Sequence, residues 1–186
     1  MMRVLKSRRG VSPVIATVIL VATAITIAVA VAYWMGGITS QYTRFEKVEI
    51  ISVYCESTHG IQSVWAGQDV YYWEITLNLR NTGTTEATLI GAFINGKAIS
   101  DYQNVTIGAN SYYSIVAFDA NGDPVYFSKG DTITIEPGSS TEITIRILQD
   151  HSPVTNYQLT FTSGTTIELA LHSGAGNSYM KMVTLT

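Results

Sequence analysis

Three histidines, one cysteine, a short acidic run and a glycan-acceptor pattern are the features of this 186-residue chain whose residue types could do chemistry. His59, His151 and His172 are scattered, with no His-Glu-x-x-His spacing and no paired cysteines, so no zinc set forms along the sequence. Each reads as a surface or loop histidine. Asp119, Asn121 and Asp123 alternate like the opening oxygen ligands of a calcium loop. Pro124, however, stands where that loop needs glycine, and Gly130 where it ends in glutamate. A hairpin turn accounts for them better. Serine and threonine are plentiful, yet no Gly-x-Ser-x-Gly elbow or phosphate-binding loop pairs one with a base. The expectation is a protein that is not an enzyme and carries no metal or cofactor. Cys55 stands alone, cannot form an internal disulfide, and reads as a small buried hydrophobe. Asn104-Val105-Thr106 is the only Asn-x-Ser/Thr sequon, and Asn104 is a candidate for N-glycosylation if the chain is exported.

The composition narrows the class. Charged residues make up 13% of the chain, against roughly 25% in average soluble proteins. The formal net charge of -3 gives no support for nucleic-acid binding. Four basic residues, Arg3, Lys6, Arg8 and Arg9, sit just before Val11 to Met35, a run of twenty-five positions without a charge. About 20 helical residues at 1.5 Å each span the ~30 Å of a bilayer's hydrocarbon, so this run is long enough to enter a membrane.

The run has three readings. A secretory signal peptide has an apolar part of about 7 to 15 residues and ends in a small-x-small site. Ala28-Val29-Ala30 or Ala30-Val31-Ala32 would serve, with the mature chain starting near Tyr33, but the run is too long and no polar stretch follows those alanines until Gly36-Gly37. A permanent anchor, its short basic N-terminus held in the cytoplasm, fits the topology equally well. The third reading depends on where the charge stops.

Arg8-Arg9-Gly10 followed by Val11-Ser12-Pro13-Val14-Ile15 resembles the leader and mature start of archaeal type IV pilin precursors. The resemblance covers residues 5 to 37 closely and the remainder in general character. It implies that a prepilin peptidase cuts after Gly10, at the junction of Arg8, Arg9, Gly10 and Val11, so that the apolar helix stays on the mature protein. It also implies an assembly ATPase and a membrane platform protein as partners, and a homopolymer of the chain itself as product. Bacterial type IV pilins usually carry glutamate at the fifth mature position. That position is Ile15 here, so their charge-guided docking does not carry over.

The elements that would position this junction follow from local chemistry. Ser12 is a good N-cap and Pro13 suits the first helical position, where its missing N–H costs nothing. In an apolar medium the backbone must satisfy its own hydrogen bonds, which makes a helix of the Val-, Ile- and Thr-rich run. Ala24, Ala28 and Ala32 recur at four-residue spacing, and Ala22, Thr26 and Ala30 form a second row, letting neighbouring backbones approach closely. With Val14, Ile15 and Val18 these residues are the expected packing surface of a filament core; the alternative is that alanine is simply common in membrane helices. Eleven Val, Ile and Leu residues lie between Val11 and Met35, and exposing them to water would cost on the order of 20 kcal/mol. Gly36-Gly37 is the expected hinge or softening point, since each glycine costs a helix interior ~1 kcal/mol. The helix and its extension are assigned to residues 11–49, after a leader of residues 1–10.

From about Val48 the pattern changes to period two. Tyr71, Trp73, Ile75, Leu77 and Leu79 alternate with Tyr72, Glu74, Thr76, Asn78 and Arg80, as in a strand with one buried face. Further strands are expected at Thr88 to Ile94, Tyr112 to Phe118, Asp131 to Ile135, Glu142 to Leu148, Gln158 to Thr162, Thr166 to His172 and Tyr179 to Leu185. Turn signals separate them at Asn81-Thr82-Gly83, Asn95-Gly96, Asn121-Gly122-Asp123-Pro124 and Pro137-Gly138-Ser139. The fold class expected is α+β: a long N-terminal apolar helix, then an all-β sandwich over residues 50–186. The threonine-rich strands and Asn-Gly turns resemble the immunoglobulin-like heads of archaeal pilins and archaellins.

Function is then expected to be that of an extracellular filament subunit, held in the membrane with its N-terminus inside before assembly, with adhesion as its role. A membrane-anchored β-domain binding protein, an archaellin of a swimming filament and a minor pilin are the alternatives.

Overall fold

The computed structural model describes residues 12–102, 104–107, 109–149 and 161–186. The expected leader junction Arg8, Arg9, Gly10 and Val11, the residue His151 and most of the expected strand Gln158 to Thr162 lie outside the described residues. Two units are present, Met1–Arg44 and Phe45–Thr186.

The first unit contains helix α1 (Pro13–Tyr42). The helix stops at Tyr42 and does not extend toward Glu49. Val48 is 4% exposed and belongs to the β core, and from Val48 onward the backbone is committed to pairing with another strand. The second unit holds β1 (Val48–Gln62), β2 (Gln68–Asn81), β3 (Ala87–Ile94), β4 (Lys97–Ala98), β5 (Asn104–Ile107) and β6 (Asn110–Tyr113). It continues with β7 (Ile115–Phe118), β8 (Pro124–Val125), β9 (Ile133–Ile135), β10 (Ser140–Leu148), β11 (Thr166–Ser173) and β12 (Ser178–Thr184).

These strands form an antiparallel sandwich. One sheet runs β1-β2-β10-β7-β8 and the other β12-β11-β3-β4, with β9 also paired to β3. Taken in chain order, the first matches the A-B-E-D sheet of an immunoglobulin-like sandwich and the second the G-F-C-C′ sheet. The core between them is filled by the inward positions of both sheets: Trp73, Ile75, Leu77 and Leu79 from β2, Ile143, Ile145 and Ile147 from β10, Leu169 and Leu171 from β11, and Leu89 and Ile94 from β3. The Asn95-Gly96 signal makes the tight β3–β4 turn, with both residues at positive φ, 50° and 75°, as a two-residue hairpin loop requires.

Two details depart from simple alternation. Tyr71, expected on the buried face, is exposed, while its neighbour Tyr72 is buried. A second apolar cluster covers the outer face of the first sheet at that end. Tyr72, Val116, Phe118 and Leu148 meet Val64, Trp65, Val70 and Val105 there. The expected strand Tyr112 to Phe118 is also two strands. It breaks at the buried Ser114, whose carbonyl accepts the Leu148 N–H at 2.9 Å. β6 turns away to pair with β5 as a separate hairpin, while β7 stays in the sheet. β7 is buried at every position because Ile115 and Ala117 face the main core and Val116 and Phe118 the second. Arg146 lies in this second layer, with Nε 2.6 Å from Glu74 Oε2, one guanidinium N–H donated to Gln62 Oε1 at 2.8 Å, and its plane 4.3 Å from the Phe118 ring.

The chain enters the head through a clasp. The Phe45 carbonyl accepts the N–H groups of Thr84 and Thr85, and the Lys47 carbonyl those of Thr82 and Gly83. The Asn81 side chain, fully buried, donates to the carbonyls of Thr85 and Ile135 and accepts the Gly83 N–H. The Tyr179 hydroxyl donates to Glu46 Oε1 at 2.8 Å. Gly83 has no room for a side chain, since a Cβ there would sit 2.5 Å from the Phe45 carbonyl oxygen and 2.7 Å from the Lys47 nitrogen. Gly83→Ala is therefore expected to destabilise the head by about 1–3 kcal/mol, as overpacking against backbone does, read as a lower urea midpoint.

Burial raises the pKa of Tyr72, Tyr102, Tyr126 and Tyr179, and the Glu46 carboxylate raises Tyr179 further. A phenol whose folded pKa lies above its unfolded value of about 10 holds its proton longer in the folded state, so the associated stability is full below that pH and is lost above it. Thermal midpoints should be flat on this account from neutral pH to about 9 and fall above about 10, less steeply in Tyr179→Phe.

Candidate functional site: the apolar helix

Helix α1 is set up at its start by Ser12 and Pro13. Ser12 has the extended ψ of an N-cap (135°) and Pro13 occupies the first helical position, as expected. The Ser12 hydroxyl makes no capping bond; its carbonyl instead accepts the Ala16 N–H at 3.1 Å. At 1.5 Å per residue the 30 residues extend about 45 Å, more than the ~30 Å of a bilayer's hydrocarbon. The helix is long and apolar enough to cross a membrane, a test that a signal sequence near an N-terminus also passes.

Its surface chemistry is uniform. No residue of α1 is buried within the chain, and Val14, Ile15 and Val18 lie open with the other large aliphatics. Apolar residues occur on every side, with no polar face. The hydroxyls that would break this uniformity are turned inward onto the helix's own carbonyls. Thr17 donates to Val14, Thr23 to Ile19 and Leu20, Thr26 to Ala22, and Thr39 to Met35, at 2.8–2.9 Å. In an apolar medium an unsatisfied hydroxyl costs several kcal/mol, so these bonds make the threonines compatible with lipid or with a neighbouring helix.

The small residues form two separate faces. Ala24, Ala28 and Ala32 make one row, and Ala22, Thr26 and Ala30 the other. Corresponding members stand two residues apart, about 200° around the axis, so the rows lie on opposite sides of α1. Each side offers a strip where a second backbone can approach closely. The helix runs through Gly36 and Gly37 without interruption and ends five residues later at Tyr42. A cost of ~1 kcal/mol per glycine is too small to break a long helix at that point.

The residues weighed for chemistry are engaged structurally. Asp119 accepts the N–H groups of Asn121 and Asp123, both at 2.9 Å, and the Asn121 amide bonds its second oxygen, so the calcium-like run is a turn closed by its own carboxylate. His59 stacks on Tyr71 and His172 on Phe93, with ring centroids 5.2 and 4.1 Å apart. Among the described residues no group of three metal-ligating side chains comes together. Cys55 is half-buried against the core, and burial pushes its thiol pKa up, which makes it a poor nucleophile. Asn104 is exposed on β5. The clasp at Phe45, Asn81 and Gly83 was not legible as such. Asn81-Thr82-Gly83 signals a turn, but nothing local to it says that the chain entering the head is laid across it.

No family model matches the chain, and no curated protein matches it. The X-ray structure of Northeast Structural Genomics Consortium target SoR45 is similar over 75% of this chain and 82% of its own, at 17% sequence identity and a TM-score of 0.31, a likeness that carries no argument about function.

Proposed function

We propose that this chain is the structural subunit of an extracellular filament of the archaeal type IV pilin class. A prepilin peptidase removes residues 1–10, the subunit waits in the membrane with its N-terminus inside, and an assembly ATPase and platform protein drive its transfer into a helical homopolymer. The apolar helices form the interior and the β heads the outside. The observation that carries this reading is an entirely apolar helix with small residues on two opposite sides.

One close-packing face suffices for a pair, after which association stops. Two opposite faces let each helix hold a neighbour on either side, which produces an open array. The hydrophobic cost of about 20 kcal/mol excludes release of the monomer into water. Lipid and helix bundle are both apolar, so close packing at the alanine rows supplies the preference for the bundle. Adhesion follows from the polymer itself, since many weakly binding heads on one fibre raise avidity without a strong single site.

The N-terminal sequence of material sheared from cells tests the processing step. A start at Val11 is the expected result; a start near Tyr33 means ordinary secretion, and an intact Met1 means an anchored module. Ala28→Leu tests the packing step. It should leave membrane insertion unchanged and reduce the yield of sheared fibre at least tenfold, whereas an unchanged yield contradicts packing through that row.

A further inference from the structure

We infer that Asn104 carries an N-linked glycan held on the β5–β6 hairpin; the inference rests on the proposed location of the head outside the membrane. The sequon lies within β5, where side chains alternate between faces. Val105 points inward and is fully buried in the second apolar cluster, so Asn104 and Thr106 both leave the opposite face. Asn104 is exposed and Thr106 partly so, which presents together the two groups that define the acceptor.

The hairpin is suited to modification in a second way. β5 and β6 pair only with each other and belong to neither sandwich sheet. A two-stranded hairpin is marginal by itself, so the sequon can peel open into a transferase while the sandwich stays paired. Tyr113 is Asn104's register partner, and directly opposed residues project from the same face. The Tyr113 ring packs at 5.6 Å from Tyr126 and its hydroxyl lies 3.2 Å from Ser128 Oγ, so it is a fixed aromatic wall beside the attachment point.

The donor is a polyprenyl-phosphate- or polyprenyl-pyrophosphate-linked oligosaccharide. Asn104 Nδ2 bonds to the anomeric carbon, the bond from that carbon to the phosphate oxygen breaks with its electron pair leaving on the phosphate, and Nδ2 gives up one proton to a base of the membrane transferase. No oxidant or reductant is involved. A glycan there adds a hydrated layer to a chain of which only 13% of residues are charged.

The test uses the full chain in its native host, or in a host with N-linked glycosylation. Intact cells are shaved with protease to report which side of the membrane the head occupies, and the tryptic peptide 98–129, which contains the one sequon, is weighed by mass spectrometry. The expected result is a shaved peptide heavier by one oligosaccharide, with the excess abolished in N104Q and T106A, retained in T106S, and all three variants folded by circular dichroism. A shaved peptide of unmodified mass overturns the glycan and leaves the export reading standing. A head that protease cannot reach, with an unmodified peptide, overturns both.

Discussion

An uncharged helix that its own chain does not cover is the constraint on which the rest depends. Thirty residues of α1 bury nothing, and their aliphatic side chains are exposed on every side. Water is therefore not an acceptable surrounding for this unit, at a cost on the order of 20 kcal/mol, and some apolar partner must supply what the chain does not. The back-bonded threonines extend the same logic to the polar atoms. Every hydroxyl from Thr17 to Thr39 finds its partner on the helix itself, so the helix brings no unmet hydrogen bond into its new surroundings.

The β unit solves a different problem, which is to remain intact while tethered at one end. Its first strand pairs with β2 over nearly its whole length, and the clasp from Phe45 to Lys47 fixes the chain before that pairing begins. Asn81 matters here because it is buried and fully used, holding the loop that carries Gly83 to the core edge strand β9 through the Ile135 carbonyl. A second apolar layer over one end of the first sheet adds burial that a two-layer sandwich would lack. Arg146 is tolerated inside it because Glu74 and Gln62 engage the guanidinium and the Phe118 ring lies against its plane.

Much of this was legible in the sequence, for identifiable reasons. The uncharged run from Val11 and the Ser12-Pro13 start specified α1, because composition and capping are local properties. Period-two alternation located β2, β3, β10, β11 and β12, and Asn95-Gly96 located its turn, because one buried face imposes that pattern. What was not legible depends on contacts between distant segments. Tyr72 is buried only because Trp65 and Val105 come to cover it, and the Tyr112 to Phe118 run splits at Ser114 only because β5 captures β6. The helix end was misplaced for the same reason: residues 43–47 have no strong local preference, and it is the pairing of β1 and the bonds to the Asn81 loop that end the helix at Tyr42. The two opposite alanine rows were visible as spacings, but their consequence for polymerisation comes from their angular placement.

The central claim is that α1 of the assembled protein is surrounded by copies of itself. Hydrogen–deuterium exchange on detergent-washed, lipid-depleted material from the cell surface tests it directly, with the degree of association read on the same sample by sedimentation. The account expects a large polymer in which peptides spanning residues 13–42 exchange more slowly than the strands of the head. A monomeric β unit lacking those residues, or a polymer whose helix exchanges as fast as an unprotected peptide, contradicts it.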